Sequence, residues 1–260
     1  MEQQKQESDQ LEMNLFISAA SDRSIRKTNL DAYGFSDGCE MIQSAGEDHI
    51  YHQAEYENPD EFMAVIADGV SGAEHTEKPE DDAAVSIVRT ILEELFDVYS
   101  LHQFMGSFAD EVNEAMIQLS NLKNRRLATT VSVIGIYPQD IRILNMGDSA
   151  VLRFHHDKAQ IITPLSNTSK LCRYAGNASC AGCTMADIYR FTPETGDVYV
   201  LATDGLIHAF TDVNGILRTD DILNILKNSS WNAQALVQEA MKNSHDNISA
   251  CVIQIKEAVE

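Results

Sequence analysis

The order of apolar segments constrains this chain more than any other feature: two strand-like runs, 62–67 and 129–136, are separated by two long helical repeats. The first repeat sets Ile87, Ile91 and Leu95 beside Val88, Leu92 and Phe96 on one stripe, and the second aligns Phe104, Phe108, Val112, Met116 and Leu119. Recurrence at three and four residues marks a helix with one buried face. Pro79 suits the first turn of the earlier helix, where its missing N–H costs nothing. Four further runs rich in β-branched residues, 15–20, 141–146, 198–202 and 248–255, read as strands, and helical patterns at 220–226 and 231–242 precede the last of them. Strand pairs joined by tight turns, with helices inserted as a pair, predict an α+β fold of layered, largely antiparallel sheets. A doubly wound sheet fits this order less well. Two polar stretches, 36–61 and 164–190, are expected to be irregular loops near a site.

A chain of 260 residues that is 44% hydrophobic can bury a large core, so one domain over 13–260 is expected behind a disordered tail at 1–12. Residues 1–10 lack the apolar stretch of a secretory signal, and no run reaches the roughly 18–20 apolar residues that cross a bilayer. A soluble, cytoplasmic protein is the expectation. Nineteen Lys and Arg against forty Asp and Glu give a net charge of −21, which repels nucleic acid and anionic membrane, so neither is expected as a partner. The odd set Cys39, Cys172, Cys180, Cys183 and Cys251 fits a reducing compartment better than a disulfide framework. Cys180-x-x-Cys183 has zinc-ligand spacing, but without a second pair or a fourth ligand it reads as core thiols.

Four aspartates share a local setting at the ends of apolar strands. Asp68 follows 62–67 and precedes Gly69; Asp204 follows 198–203 and precedes Gly205; Asp148 follows 143–147; and Asp246 stands just before the last strand. A rigid strand would aim each carboxylate at one sheet edge. Mg²⁺ and Mn²⁺ prefer carboxylate, carbonyl and water oxygens, and a following glycine lets a backbone carbonyl approach the ion. Each Asp-Gly taken singly is an ordinary turn. The set is what points to a metal centre.

These residues resemble the motifs of the metal-dependent protein phosphatases (PPM, or type 2C serine/threonine phosphatases), in family order and over nearly the whole domain. Arg26-Lys-Thr-Asn-Leu-Asp31, Ala67-Asp-Gly-Val-Ser-Gly72, Leu127-Ala-Thr-Thr130, Met146-Gly-Asp-Ser149, Ala202-Thr-Asp-Gly-Leu206 and Ser244-His-Asp-Asn-Ile-Ser249 carry the match. The resemblance implies a four-layer αββα sandwich, two largely antiparallel sheets flanked by helices, with two Mg²⁺ or Mn²⁺ ions at one end. It implies that Asp68 bridges the ions, that the Gly69 carbonyl joins one, and that Asp204 and Asp246 complete the other. Asp31 would act through water, Asp148 with Asp204 would hold a third, weaker ion, and Arg26 would grip the substrate phosphate. Stretch 164–190 would be the flap beside the metals.

The implied activity is hydrolysis of phosphoserine and phosphothreonine in a phosphoprotein substrate by a metal-activated water attacking in line. Asp68, Asp204 and Arg26 would be its central residues, and a regulatory protein partner is among the routes of control. Four positions depart from the family pattern: Leu30 replaces a Glu, Ser71 a Gly, Val70 a His that some members use as general acid, and Ala150 an Arg. His49, His52 and His75 read as solvated or capping side chains rather than proton donors, and His155 and His156 as surface residues. The main alternative is an inactive pseudophosphatase that binds a phosphoprotein or another partner. A Ca²⁺-binding protein lacks its loop motif here, and an aspartyl-nucleophile enzyme would not explain the ordered matches.

Overall fold

The computed structural model describes residues 12–70, 82–96, 106–165, 173–177 and 186–258. The tail at 1–11, Ser71, Gly72, His75, Pro79, Phe104, Cys172, Cys180 and Cys183 lie outside the described residues, as does most of 164–190.

Among the described residues, twelve strands form two sheets. The first joins β1 (Met13–Asp22), β4 (His49–Glu57), β8 (Ala150–His155), β9 (Lys158–Ile161), β11 (Val198–Ala202) and β12 (Ile248–Glu257) in the order β4-β1-β12-β11-β8-β9. The second joins β2 (Asp31–Ser36), β3 (Met41–Gln43), β5 (Phe62–Asp68), β6 (Val131–Tyr137), β7 (Asp140–Met146) and β10 (Asp187–Phe191) in the order β10-β7-β6-β5-β2-β3. Every pairing is antiparallel.

Side-chain alternation explains the layers, because successive residues of a strand point to opposite faces. In β5, Phe62, Ala64 and Ile66 enter the core between the sheets, while Met63, Val65 and Ala67 face a core shared with helices. In β12, Cys251, Ile253 and Ile255 point inward and Ile248, Ala250 and Val252 outward. Strands buried on both faces read as continuous apolar runs, which is why these were visible in the sequence. The second sheet is covered by α1 (Ala83–Thr90) and α2 (Gly106–Leu122), and Ile91–Leu95 prolongs α1 as a wider π-helical turn. The first sheet is covered by α3 (Asp204–Phe210), α4 (Thr219–Asn228) and α5 (Ala233–Ala240). Asn232 caps α5 by accepting from the Gln234 N–H at 2.7 Å. The architecture is the α+β sandwich of two antiparallel sheets between helical layers.

Two expectations need correction. Stretch 36–61 is not an irregular loop: it holds β3 and the nine-residue β4. Ile50, Ala54 and Tyr56 face the inter-sheet core, but the polar His52 on the same face, against Tyr33, and His49, Glu55 and Glu57 on the other face of this edge strand hide the pattern. His155 is not a plain surface residue either: its Nδ1 lies 2.7 Å from the fully buried carboxylate of Asp197.

Candidate active site

One end of the sandwich collects the aspartates. Asp31 opens β2, Asp68 closes β5, and the two residues are paired across the ladder. Asp148 sits in the turn that crosses from β7 in one sheet to β8 in the other. Asp204 begins α3 directly after β11, and Asp246 lies just before β12, whose first residue pairs with the last of β1. Antiparallel pairing places these starts and ends side by side.

The local scaffold is a hydrogen-bonded lattice of small polar residues. The Asp68 carbonyl accepts from Thr129 Oγ1 and the Thr130 N–H, both at 2.8 Å, while the Asp68 N–H donates to Thr130 Oγ1 at 3.1 Å. Thr130 Oγ1 also lies 2.9 Å from Ser149 Oγ, which ties the Asp68 strand to the Asp148 turn. Buried Thr203 donates from Oγ1 to Asp31 Oδ2 at 2.8 Å and accepts from the Ser249 N–H at 2.9 Å. Asn247 accepts from the Leu30 N–H and donates to the carbonyls of Arg23 and Thr28, so the loop carrying Arg26 is fastened to the root of β12.

Space requires glycine at one position here and presses on a second. A Cβ on Gly205 would stand 2.0 Å from the Asn247 carbonyl oxygen and 3.4 Å from Asp246 Cβ, so only glycine lets α3 start against the Asp246 segment. Gly69 donates its N–H to the Leu30 carbonyl at 3.1 Å, and a Cβ there would press on Leu30 at 3.0–3.1 Å.

Electrostatics are the most telling property of this end. Burial, with the Asp204 and Asp246 charges, outweighs the hydrogen bonds from Thr203 and Ser249 and pushes the Asp31 carboxyl up to about 7. Burial, followed by repulsion from Asp31, Asp204, Asp148 and Asp246, raises Asp68 well above the ordinary carboxylate range. Burial and then Asp148 raise Asp204, which hydrogen-bonds Asp68, and burial raises Asp148. Two like charges about 4 Å apart repel by about 4 kcal/mol at an effective dielectric of about 20. That exceeds the roughly 0.5–1.5 kcal/mol a typical hydrogen bond contributes.

Relief can come from protons or from cations. The Oδ1 of Asp31 is buried with no hydrogen-bond partner among the described residues, an acceptor with nothing to accept from. An all-oxygen donor set with a buried orphan acceptor fits a hard divalent ion. Among the described residues these aspartates do not bring three donor atoms within 4.8 Å of one another.

The sequence-expected residues therefore converge: Asp31, Asp68, Gly69, Asp148, Asp204 and Asp246 occupy one end of the fold. Arg26 reaches it too, but its Nη2 donates to Asp246 Oδ2 at 2.6 Å. The histidines do not converge as a group. His49 Nδ1 is 2.7 Å from Asp22 Oδ2, and His52 Nδ1 is 2.8 Å from the Tyr33 hydroxyl. His208, which the sequence reading passed over, stands with Nδ1 3.8 Å from Asp204 Oδ2. Its signal was the four-residue spacing from Asp204, legible only once a helix is known to start there. Thr203, Ser249 and Asn247 were also missed as supports.

The tightest group of ligand-type side chains among the described residues is elsewhere: donor atoms of His155, Glu194 and Asp197 lie within 4.8 Å of one another. Arg153 already fills it, donating to both oxygens of Asp197 and to Glu194 at 2.7–3.0 Å, so it is an ion-pair network at the opposite end of β8.

Comparison with known proteins agrees with this fold. The family model described as Stage II sporulation protein E (SpoIIE) matches residues 83–256, more than half of the chain. Among the curated proteins, none matches this sequence. PppA, described as a key regulatory component of T6SS in Pseudomonas aeruginosa, superposes with a TM-score of 0.65 at 17% identity, covering 94% of this chain and 99% of that one. The catalytic domain of the serine/threonine phosphatase PstP, solved with two manganese ions, gives 0.64 at 16% identity, with 94% and 99% covered. MsPP, a PPM Ser-Thr phosphatase from Mycobacterium smegmatis solved with cacodylate, gives 0.64 at 15%, with 92% and 97% covered. Identities this low establish a shared fold. Together with the family match, they show that this chain belongs to the SpoIIE family, a PP2C-like domain of the metal-dependent (PPM) phosphatases.

Proposed function

We propose that this chain is a protein serine/threonine phosphatase that hydrolyses phosphoserine and phosphothreonine at a two-metal aspartate site. The observation that carries the reading is the crowding of Asp31, Asp68, Asp148, Asp204 and Asp246 at one end of the fold, where burial raises four of their carboxyls, neighbouring carboxylates add to the rise at Asp31, Asp68 and Asp204, and Asp31 Oδ1 is buried with no partner among the described residues. Asp68 with the Gly69 carbonyl would hold one Mg²⁺ or Mn²⁺ and share it with a second at Asp204 and Asp246. Asp31 would act through water, and Asp148 with Asp204 would take a third, weaker ion. Such ions supply an acidified water as nucleophile and neutralise charge on the phosphoryl oxygens. PstP was solved with two manganese ions and RsbX with magnesium, which supports divalent metal use in this fold.

The chain's own residues do the rest. Arg26, half-exposed at the mouth, can turn its fork from Asp246 onto two phosphate oxygens, a bidentate grip that Lys cannot reproduce. Thr203 fixes one oxygen of Asp31 and leaves the other, buried and without a partner among the described residues, open to accept. A phosphoprotein is the substrate class, with a regulatory protein partner as one route of control, and a cytoplasmic setting suits the reading. Among the described residues, no helix is long and apolar enough to cross a membrane.

One observation favours a pseudophosphatase instead. Leu30, whose carbonyl and Cβ pack against Gly69, puts a hydrocarbon where the family carries a metal-tuning Glu. Phosphate release from a phosphothreonine peptide in Mn²⁺, Mg²⁺ or chelator decides between the two. Metal-dependent release is expected, and a folded protein inactive with every metal leaves the binding module.

A further inference from the structure

The net charge of −21 is unevenly spread along the chain. No acidic residue lies between Glu114 and Asp140, or between Asp157 and Asp187, and these two segments carry Lys123, Arg125, Arg126, Lys158, Lys170 and Arg173. The fold brings parts of the two segments face to face. A cleft of about 560 Å³ opens between the end of α2, the turn after it and residues 174–177. Ser120, Asn121, Arg125, Arg126, Tyr174 and Asn177 line it, and among the described residues no carboxylate does.

The walls of this cleft are fastened to the phosphatase site. Asn113 on α2 accepts from the N–H groups of Gly176 and Asn177 at 2.9 and 3.0 Å. Ala175 and Thr129 exchange backbone hydrogen bonds at 2.9 and 3.2 Å. Thr129 is the residue whose Oγ1 donates to the Asp68 carbonyl, so one residue joins the cleft wall to the aspartate cluster. Arg126 precedes Thr129 by three residues, about 10 Å of extended chain from the Asp68 contact. The exposed Arg126 guanidinium donates to the Tyr174 hydroxyl at 3.3 Å, which holds it at the cleft.

The net charge of −21 repels an acidic polypeptide, and at physiological salt that repulsion extends about 8 Å from the surface. In the cleft such a polypeptide meets the exposed Arg126 guanidinium, whose planar donors match a carboxylate two at a time. Asn, Ser and Tyr groups add uncharged donors, and the volume suits side chains rather than a nucleic-acid helix.

We propose that this cleft binds an acidic segment of the phosphoprotein substrate, flanking the phosphorylated residue held at Asp68. The proposal rests on the phosphatase reading and adds to it a substrate class: phosphoproteins whose phosphosite is bordered by Asp or Glu.

The test compares two phosphothreonine peptides, one flanked by Glu and one by Gln, with p-nitrophenyl phosphate as a small ester, on wild type, Arg125→Gln/Arg126→Gln and Arg126→Gln. The wild type is expected to favour the Glu-flanked peptide. The double variant should lose about tenfold or more in kcat/KM on that peptide, through KM, while the Gln-flanked peptide and the small ester are unchanged. Arg126→Gln, at an exposed position, should show part of the same selective loss and serves if the double variant is unstable. No preference in the wild type, or an equal loss on both peptides, overturns the proposal. If the wild type turns over nothing, the phosphatase reading fails and fluorescence anisotropy of the labelled Glu-flanked peptide judges the cleft alone. Binding weakened about tenfold in the variants then supports it, and equal binding overturns it.

Discussion

Arg26 donates to Asp246 at 2.6 Å, so a side chain proposed to hold phosphate rests on a side chain proposed to hold metal. Both are about half exposed, and an ion pair in that setting contributes only about 0–1 kcal/mol, a low barrier to exchange. Arg26→Ala should therefore raise KM for a phosphothreonine peptide at least tenfold with little change in melting temperature. Arg26→Lys should recover only part of the loss, because charge returns without the fork. A large fall in melting temperature for Arg26→Ala would make the residue structural instead. Gly205→Ala behaves oppositely: a methyl 2.0 Å from the Asn247 oxygen forces backbone to move, and a destabilisation of about 1–3 kcal/mol is expected from denaturant midpoints. At this scale the aspartates were legible because each follows or precedes an apolar run. Thr203 and Asn247 were not, since a lone Thr or Asn carries no sign of what it meets across more than a hundred residues of chain, and His208 was not because its four-residue spacing from Asp204 means something only on a helix.

Elements transmit these positions. Strands β5, β6, β11 and β12 are buried on both faces and announce themselves as unbroken apolar runs, whereas β4 and β9 lie at sheet edges with charged residues turned outward. Edge strands need only one apolar face, so charge dilutes their signal. Helix α3 was missed because its seven residues are shorter than the window in which helical periodicity can be counted. At the far end of the sandwich, Asp140 at the start of β7 shows how the strand ends are secured. Burial alone would raise its carboxyl, but hydrogen bonds from Arg190 and Arg142, with their charges, prevail and hold it below the ordinary value. A depressed folded-state value adds stability above the unfolded value and loses it as pH falls through the folded one. Asp140→Asn should thus cost about 1–3 kcal/mol at neutral pH. The deficit should persist to about pH 5 and shrink below about pH 4, where the unfolded-state carboxylate also titrates. An offset between wild-type and variant urea midpoints that stays constant over that range would rule the network out as its source.

The whole molecule gathers one sign of charge at one end of a rigid sandwich, a costly arrangement without counter-ions. Metal should accordingly stabilise the fold. At about a hundred times its dissociation constant, a ligand that binds only the folded state adds about 2.7 kcal/mol, which for a chain of this size is a rise of about 5–10 °C in melting temperature. The rise with Mn²⁺ should be absent in Asp68→Asn. In chelator, that variant should melt no lower than wild type, because it deletes a carboxylate whose charge the fold disfavours. A chelated variant well below wild type would show that the Asp68 charge supports the fold. The layered architecture was legible from the order of strands and the inserted helix pair, since each sheet must bury two faces. The substrate cleft was not, because its walls come from two segments remote in sequence.

The most direct test of the central claim is phosphate release from a phosphothreonine peptide by wild type, Asp68→Asn, Asp204→Asn and the surface control Asp157→Asn, each in Mn²⁺ and in chelator. The account predicts release by wild type and Asp157→Asn in Mn²⁺ alone, with a fall of at least a hundredfold in the two cluster variants. Release that survives chelation, or that persists in folded Asp68→Asn, would contradict it.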